Sequence, residues 1–328
     1  MEDWLTAALR APAVLVTVAI VEGSVPREPG AKMLVTRDGF AGTVGGGHLE
    51  HRAIDMARTM LEKGGTARLE RFALGPSLGQ CCGGIAHLVF EIVDRAQMAL
   101  LDKRRNEDTW RLIAIGAMGS SLFDGAGRHL AGHAAPSFDR TLGAHVFTDA
   151  DGRRWLADAV FAPRAHLMLF GAGHVGAAIV RALAELPCRV TWVDERDDMF
   201  PAAIPANVTV DATDTPEALV VQAAPGASFL VMTHSHALDL RLSIAILSRA
   251  DQPWFGLIGS DTKRRQFEHR LRERGIASAR IGAMVCPIGL AGIAGKAPAV
   301  IAASVAAQLL AVWEAAASAP LDASPESN

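Results

Sequence analysis

The stretch Gly79-Gln80-Cys81-Cys82-Gly83-Gly84 sets two of the chain's four cysteines side by side between glycines. Neighbouring cysteines close only a strained disulfide, because an ordinary bridge wants its Cα atoms further apart than one peptide unit sets them. Their chemistry is therefore that of free thiols: as thiolates they ligate soft metals or attack sulfur. The plainer reading makes both of them packing residues. The glycine frame tells against it, since it leaves room for a ligand or another backbone and a packed core does not need it.

A second group of residues suits anions. The segment Glu22-Gly23-Ser24-Val25-Pro26-Arg27-Glu28-Pro29-Gly30 is a loop by its two prolines and two glycines. Arg27 lies in it and Lys32 just beyond, two cations that elsewhere would be read as a solvated surface. Further on, Gly45, Gly46 and Gly47 precede a helical pattern of Ala53, Ile54, Ala57, Met60 and Leu61. Strand, triple glycine and helix in that order place backbone N–H groups and the positive end of a helix dipole at one spot, fit for phosphate or carboxylate. A plain glycine turn is the alternative. Glu50 falls in the first helical turn, where it complements the dipole.

A third group lies beyond Ala162-Pro163-Arg164. An apolar run, His166–Phe170, leads into Gly171-Ala172-Gly173-His174-Val175-Gly176 and a helical pattern, with Asp194 eighteen residues past Gly176 at the end of a second apolar run. Gly171, Gly173 and Gly176 are spaced for a tight turn, approach of a pyrophosphate and close helix packing, and Asp194 stands where an acid would bond a ribose hydroxyl. Thr233-His234-Ser235-His236 with Asp239 follows a later strand-like run. His234, His236 and Asp239 could ligate a metal, but with no third ligand fixed by spacing they suit hydrogen bonding or a loop-stabilising role better. Cys286 ends another strand-like run, Cys188 reads as packing, and Lys263, Arg264 and Arg265 read as an ordinary basic helix surface.

These residues need elements to hold them. Val14–Val21, Lys32–Thr36, Leu69–Leu74 and Ile85–Val93 read as strands, the last two flanking the cysteines. Asp94–Asn106 reads as a helix. Leu112–Met118, Ser121–Phe123 and Arg153–Leu156 form a small β-rich extension, with His129–His145 a loop. From His166 onward strands and helices alternate, as in a doubly wound parallel sheet. The expected fold class is α/β: an N-terminal α/β domain over residues 1–162 with the β-rich extension, a Rossmann-like domain over residues 163–317, and a small polar, disordered tail over residues 318–328.

With 328 residues, half of them hydrophobic, the chain can bury two substantial cores. Its net charge of −3 offers no general attraction to nucleic acid or to an anionic membrane. Ala297–Trp313 approaches the length of a membrane span but is interrupted by Pro298, Ser304 and Gln308, and reads better as a buried alanine-rich helix. Few cysteines and no signal peptide suit a reducing cytoplasm. Exposed apolar helix faces would suit a homodimer.

Taken together, the segments Gly23–Arg27 with Gly30–Met33, Gly45–Glu50, Leu78–Gly84, Gly171–Gly176, Thr233–Asp239, Ile258–Ser260 and Pro287–Leu290 resemble the XdhC/CoxI family. The resemblance implies a chaperone for the molybdenum cofactor. Members of the family bind molybdopterin, hold it while a cysteine desulfurase replaces an oxo ligand of molybdenum by a sulfido ligand, and pass it to xanthine dehydrogenase. On that basis Gln80, Cys81, Cys82, Arg27, Lys32, Gly45, Gly46, Gly47 and Glu50 are the expected cofactor-binding residues, and the chain is a maturation factor rather than an enzyme. The alternatives are an NAD(P)-dependent oxidoreductase using Gly171, Gly173, Gly176 and Asp194, and a metal-binding regulator using His234, His236 and Asp239. The second domain would bind a dinucleotide, shape the cleft or dock a partner.

Overall fold

The computed structural model describes residues 4–75, 83–251 and 253–318. It divides into two compact units, Met1–Ala162 and Pro163–Asn328.

The first unit runs α1 (Trp4–Ala8), β1 (Ala13–Glu22), β2 (Lys32–Thr36), β3 (Phe40–Gly42), α2 (Gly47–Lys63), β4 (Arg68–Ala73), β5 (Ile85–Ile92), α3 (Arg95–Lys103), β6 (Thr109–Ala114), β7 (Ser120–Asp124), β8 (His129–Gly132), β9 (His145–Thr148) and β10 (Arg154–Val160). Its strands form two five-stranded sheets, β3-β2-β1-β5-β4 and β8-β7-β6-β10-β9, with antiparallel pairing throughout. The β-rich extension is thus a full sheet. Residues 129–145, expected to be a loop, contribute β8 and open β9, because His129–Gly132 finds an edge on β7 and His145–Thr148 an edge on β10.

Strand β1 is buried on both faces from Ala13 to Ala19, which is why its sequence is a continuous apolar run and not an alternation. Val14, Val16 and Val18 meet Leu49, Ala53, Ala57 and Met60 of α2, while Ala13 and Leu15 meet Leu5 of α1 and Met98 and Leu101 of α3. Helix α3 starts where Asp94 accepts hydrogen bonds from Ala96 N at 2.7 Å and Gln97 N at 3.2 Å.

Between the two sheets runs a chain of buried charges. Lys32 Nζ is 2.7 Å from Asp158 Oδ1, Arg111 Nη1 is 3.0 Å from Asp158 Oδ2, and Arg111 Nη2 pairs with Glu91. Two cations face two anions, so the set is neutral, and Arg111 and Asp158 are both 0% exposed. Burial would pull the Arg111 guanidinium down, but Glu91 and Asp158 more than offset it and hold Arg111 protonated.

The second unit runs β11 (Ala165–Phe170), α4 (His174–Leu183), β12 (Cys188–Asp194), β13 (Val208–Ala212), α5 (Pro216–Gln222), β14 (Ser228–Val231), α6 (His236–Leu247), β15 (Phe255–Leu257), α7 (Asp261–Glu273), α8 (Ser278–Gly282) and α9 (Pro298–Ser318). Its sheet is parallel with the order β13-β12-β11-β14-β15, the Rossmann arrangement that the alternation predicts. Ser235 and Ser260 cap α6 and α7. Cys286 does not end a strand: Val285 makes a single bridge to Gly256.

Helix α9 is long and apolar enough to cross a membrane by length and composition, and only 28% of its most apolar window is buried. The expectation of a buried helix therefore holds for one face. Ala302, Val305, Ala306 and Leu309 pack with Ile179, Val180 and Leu183 of α4. Residues 319–328, the expected tail, lie outside the described residues.

Replacing Arg111 by Met leaves Glu91 and Asp158 buried without their shared cation. We expect the substitution to lower unfolding free energy by about 3–5 kcal/mol in urea titration; a change within about 0.5 kcal/mol would show that the charge chain does not hold the sheets.

Candidate functional site

In the first unit, backbone packing gathers three of the segments singled out from sequence. A Cβ on Gly84 would lie 2.4 Å from Ser24 O and 2.7 Å from Glu22 O, and a Cβ on Gly45 would lie 2.3 Å from Pro26 Cγ. Only glycine permits either approach. Gly84 N donates to Ser24 O at 3.1 Å, and Leu74 N donates to Gly84 O at 2.9 Å. The loop carrying Arg27 therefore sits between the triple glycine and the end of the cysteine segment. Gln80, Cys81 and Cys82 themselves lie outside the described residues.

The triple glycine enters α2 with φ of 130°, 76° and 61° at Gly45, Gly46 and Gly47, left-handed backbone that other residues rarely adopt. Glu50 fixes this entry. Its Oε1 accepts from Val44 N at 3.1 Å and from the Thr43 hydroxyl, and Thr43 Oγ1 in turn accepts from Gly45 N at 3.1 Å. Glu50 thus positions the turn, a more specific task than complementing the dipole.

The two loop cations part ways. Lys32 is held by Asp158, donates to Gly30 O at 2.8 Å and lies 5.8 Å from the Trp4 ring centroid. Its charge is matched internally. Among the described residues Arg27 pairs only with its neighbour Glu28, at 3.1 Å and with both side chains exposed, an arrangement weak enough to yield to another anion. Both line a cleft of about 540 Å³ together with Trp4, Glu28, Thr43 and Phe161.

In the second unit the glycine motif is built for close packing. A Cβ on Gly171 would lie 2.4 Å from Met232 O, and one on Gly176 would lie 2.1 Å from Gly171 O; Gly173 caps α4 without a side-chain bond. Asp194, expected to face a ribose, is engaged within the chain. Its Oδ2 accepts from Ala172 N at 2.7 Å and from Arg196 Nη2 at 3.1 Å. Its Oδ1 accepts from Arg196 N at 3.1 Å and Arg196 Nε at 2.9 Å. Burial raises this carboxyl, but the bonds from Arg196 and Ala172 outweigh it and leave the pKa below the ordinary value.

His234, His236 and Asp239 do not converge on a metal. Asp239 is 0% exposed, accepting from Thr233 N at 3.0 Å, Thr233 Oγ1 at 2.7 Å and Lys263 Nζ at 2.6 Å. His236 packs edge-on to Phe267 with ring centroids 6.5 Å apart. His234 borders a void of about 10 Å³ beside Asp194, room for one water. Among the described residues no group of three His, Cys, Asp or Glu side chains could hold a metal.

Sequence reasoning also set Lys263 and Arg264 aside as helix surface. Lys263 is instead the counter-ion of Asp239, and Arg264 Nη1 donates to Cys286 O at 2.9 Å. Cys286 is buried, and burial pushes its thiol up more than Lys263 and Arg264 pull it down. Cys188 is likewise buried, its thiol pushed up to about 11 by burial despite a contact from Asn207. Trp4, Phe161 and the Glu91–Arg111–Asp158 chain were missed altogether; Arg111 inside an apolar strand run was the one available signal.

An N-terminal unit that gathers glycine-framed loops beside a cleft and a C-terminal Rossmann unit define a two-domain α/β protein. The chain belongs to the XdhC/CoxI family: residues 7–73 match the model of the XdhC and CoxI family, and residues 167–309 match that of the XdhC Rossmann domain. It is 30% identical over 172 residues to the uncharacterized protein YqeB of Escherichia coli (strain K12), a match that covers 51% of this chain and 31% of YqeB. A crystal structure described as a xanthine dehydrogenase from Bacillus halodurans aligns over 98% of both chains with a TM-score of 0.73 and 21% identity, a likeness of fold.

Two outcomes check this geometry. Native Cys188 and Cys286 should resist thiol-labelling reagents at neutral pH and react once the chain is unfolded in urea; labelling of either at the rate of a free thiol would contradict their burial. Gly45→Ala should cost about 1–3 kcal/mol of stability through its φ and its contact with Pro26, and an unchanged urea midpoint would refute the close approach.

Proposed function

We propose that this protein binds the molybdenum cofactor, holds it while a cysteine desulfurase exchanges an oxo for a sulfido ligand on molybdenum, and hands it to apo xanthine dehydrogenase. Membership of the XdhC/CoxI family implies an accessory role in maturation of that enzyme. One observation carries the finer reading: Pro26 packs on Gly45 while Ser24 packs on Gly84, so the Arg27 loop, the triple glycine and Gly84 at the exit of the cysteine segment lie at one end of the first sheet. Residues at and near that end would suit the cargo. Arg27 and the N-terminus of α2 would meet its phosphate, and Cys81 and Cys82 would offer soft thiolates to molybdenum or relay sulfur as persulfides.

A second reading, an NAD(P)-dependent oxidoreductase, draws on the Rossmann strand order and on Gly171–Gly176. It requires Asp194 to release Ala172 and Arg196 before it can bond a ribose. Calorimetric titration with nicotinamide dinucleotides tests it; no heat of binding removes it.

For the first reading, the protein is purified from a host that makes the cofactor, then assayed for molybdenum and for pterin fluorescence after oxidative release. Pterin and molybdenum in equal amounts are expected, lost together on replacing Cys81 and Cys82 by Ala. Retention of both by the double variant would overturn the thiols' role, and absence of both from the wild type, even with added cofactor, would overturn the reading.

A further inference from the structure

The cleft in the first unit has a chemistry of its own. Trp4 and Phe161 both line it, and each ring has a neighbour that holds it. Trp4 lies 5.8 Å from the Lys32 ammonium, which Asp158 and Gly30 O anchor. Phe161 sits edge-on to the buried Trp110 with centroids 5.6 Å apart, yet is itself 53% exposed. Two braced aromatic groups on one cleft suit a flat ring system, since stacking asks for a rigid face that costs little entropy to use. Arg27 lines the same cleft and, among the described residues, pairs only with the exposed Glu28, so a phosphate can take it at small loss. The volume of about 540 Å³ falls within the range of small-molecule sites.

We propose that this cleft seats the pterin end of the cofactor, with the fused ring stacked on Trp4 and Phe161 and the phosphate on Arg27. The inference rests on the cofactor-binding reading but does not use the thiols. It gives Lys32 a different task from the one its place beside Arg27 suggests: Lys32 holds Trp4 in position, its charge spent on Asp158, while Arg27 rather than Lys32 meets the anion. A planar ring bearing a phosphate is also the chemistry of a nucleotide, and the test separates the two.

The full-length protein is titrated with neopterin monophosphate, followed by the ligand's own fluorescence, and with AMP as competitor. We expect saturable binding of the pterin phosphate, weakened about tenfold or more by Phe161→Ala and by Trp4→Ala and restored by Phe161→Trp. Arg27→Gln should weaken the phosphorylated pterin and leave unphosphorylated neopterin unaffected. Phe161 is half exposed, so its variant tests the site even if Trp4→Ala unfolds; far-ultraviolet circular dichroism checks both. Unchanged affinity in Phe161→Ala, no binding by the wild type, or AMP competing as well as the pterin phosphate would overturn the proposal. The Cys81→Ala, Cys82→Ala double variant keeps the two claims apart. Pterin phosphate binding that survives while molybdenum retention is lost supports both. Molybdenum cofactor bound normally by Phe161→Ala refutes the cleft and leaves the chaperone reading standing.

Discussion

The first unit depends on the neutral chain Lys32–Asp158–Arg111–Glu91, which crosses from one antiparallel sheet to the other. Charges this deep are tolerated only in full pairing, since an isolated one costs several kcal/mol of lost hydration. The set is therefore a register device: Lys32 lies opposite Thr17 on β1, Arg111 opposite Asp158 across β6 and β10, and a slip of either pair would bury an unmatched charge. Because Lys32 opens β2 directly after the Arg27 loop, the same device fixes where that loop returns to the sheet.

The second unit uses the same logic at smaller scale. Asp239, buried at the start of α6, is satisfied by the Thr233 amide and hydroxyl and by Lys263 from α7, and Lys263 also donates to Ile258 O at 2.8 Å. One carboxylate thus ties the ends of β14 and β15 to the helices that follow them. Parallel strands give no hairpins to lock their edges, so side chains of this kind take over the task.

Much of this was legible in the sequence, for identifiable reasons. The strands announce themselves through apolar runs, continuous at Val14–Val21 because β1 is covered on both faces, and the Rossmann unit through its glycine spacing and alternation. The segments Gly23–Arg27 and Gly45–Glu50 were legible as special, but their meeting was not: it rests on Gly45 lying against Pro26, a contact between residues nineteen positions apart in the sequence. The partners of Lys32 and Lys263 were hidden because they are long-range; Asp158 and Asp239 are far away in sequence. Trp4 and Phe161 sit near the ends of the first unit, where nothing local marks them as neighbours of one cleft.

Asp194 gives the glycine fingerprint a second meaning. The carboxylate that the motif reserves for a ribose is bound to the motif's own Ala172 amide and to Arg196 two residues on. Such tethered partners compete at a high effective concentration, because they lose little freedom on binding compared with a free nucleotide. A dinucleotide-type loop can then persist as architecture, its acid acting as an internal guest that closes the turn, and the fold keeps the shape of a nucleotide site without needing a nucleotide to complete it.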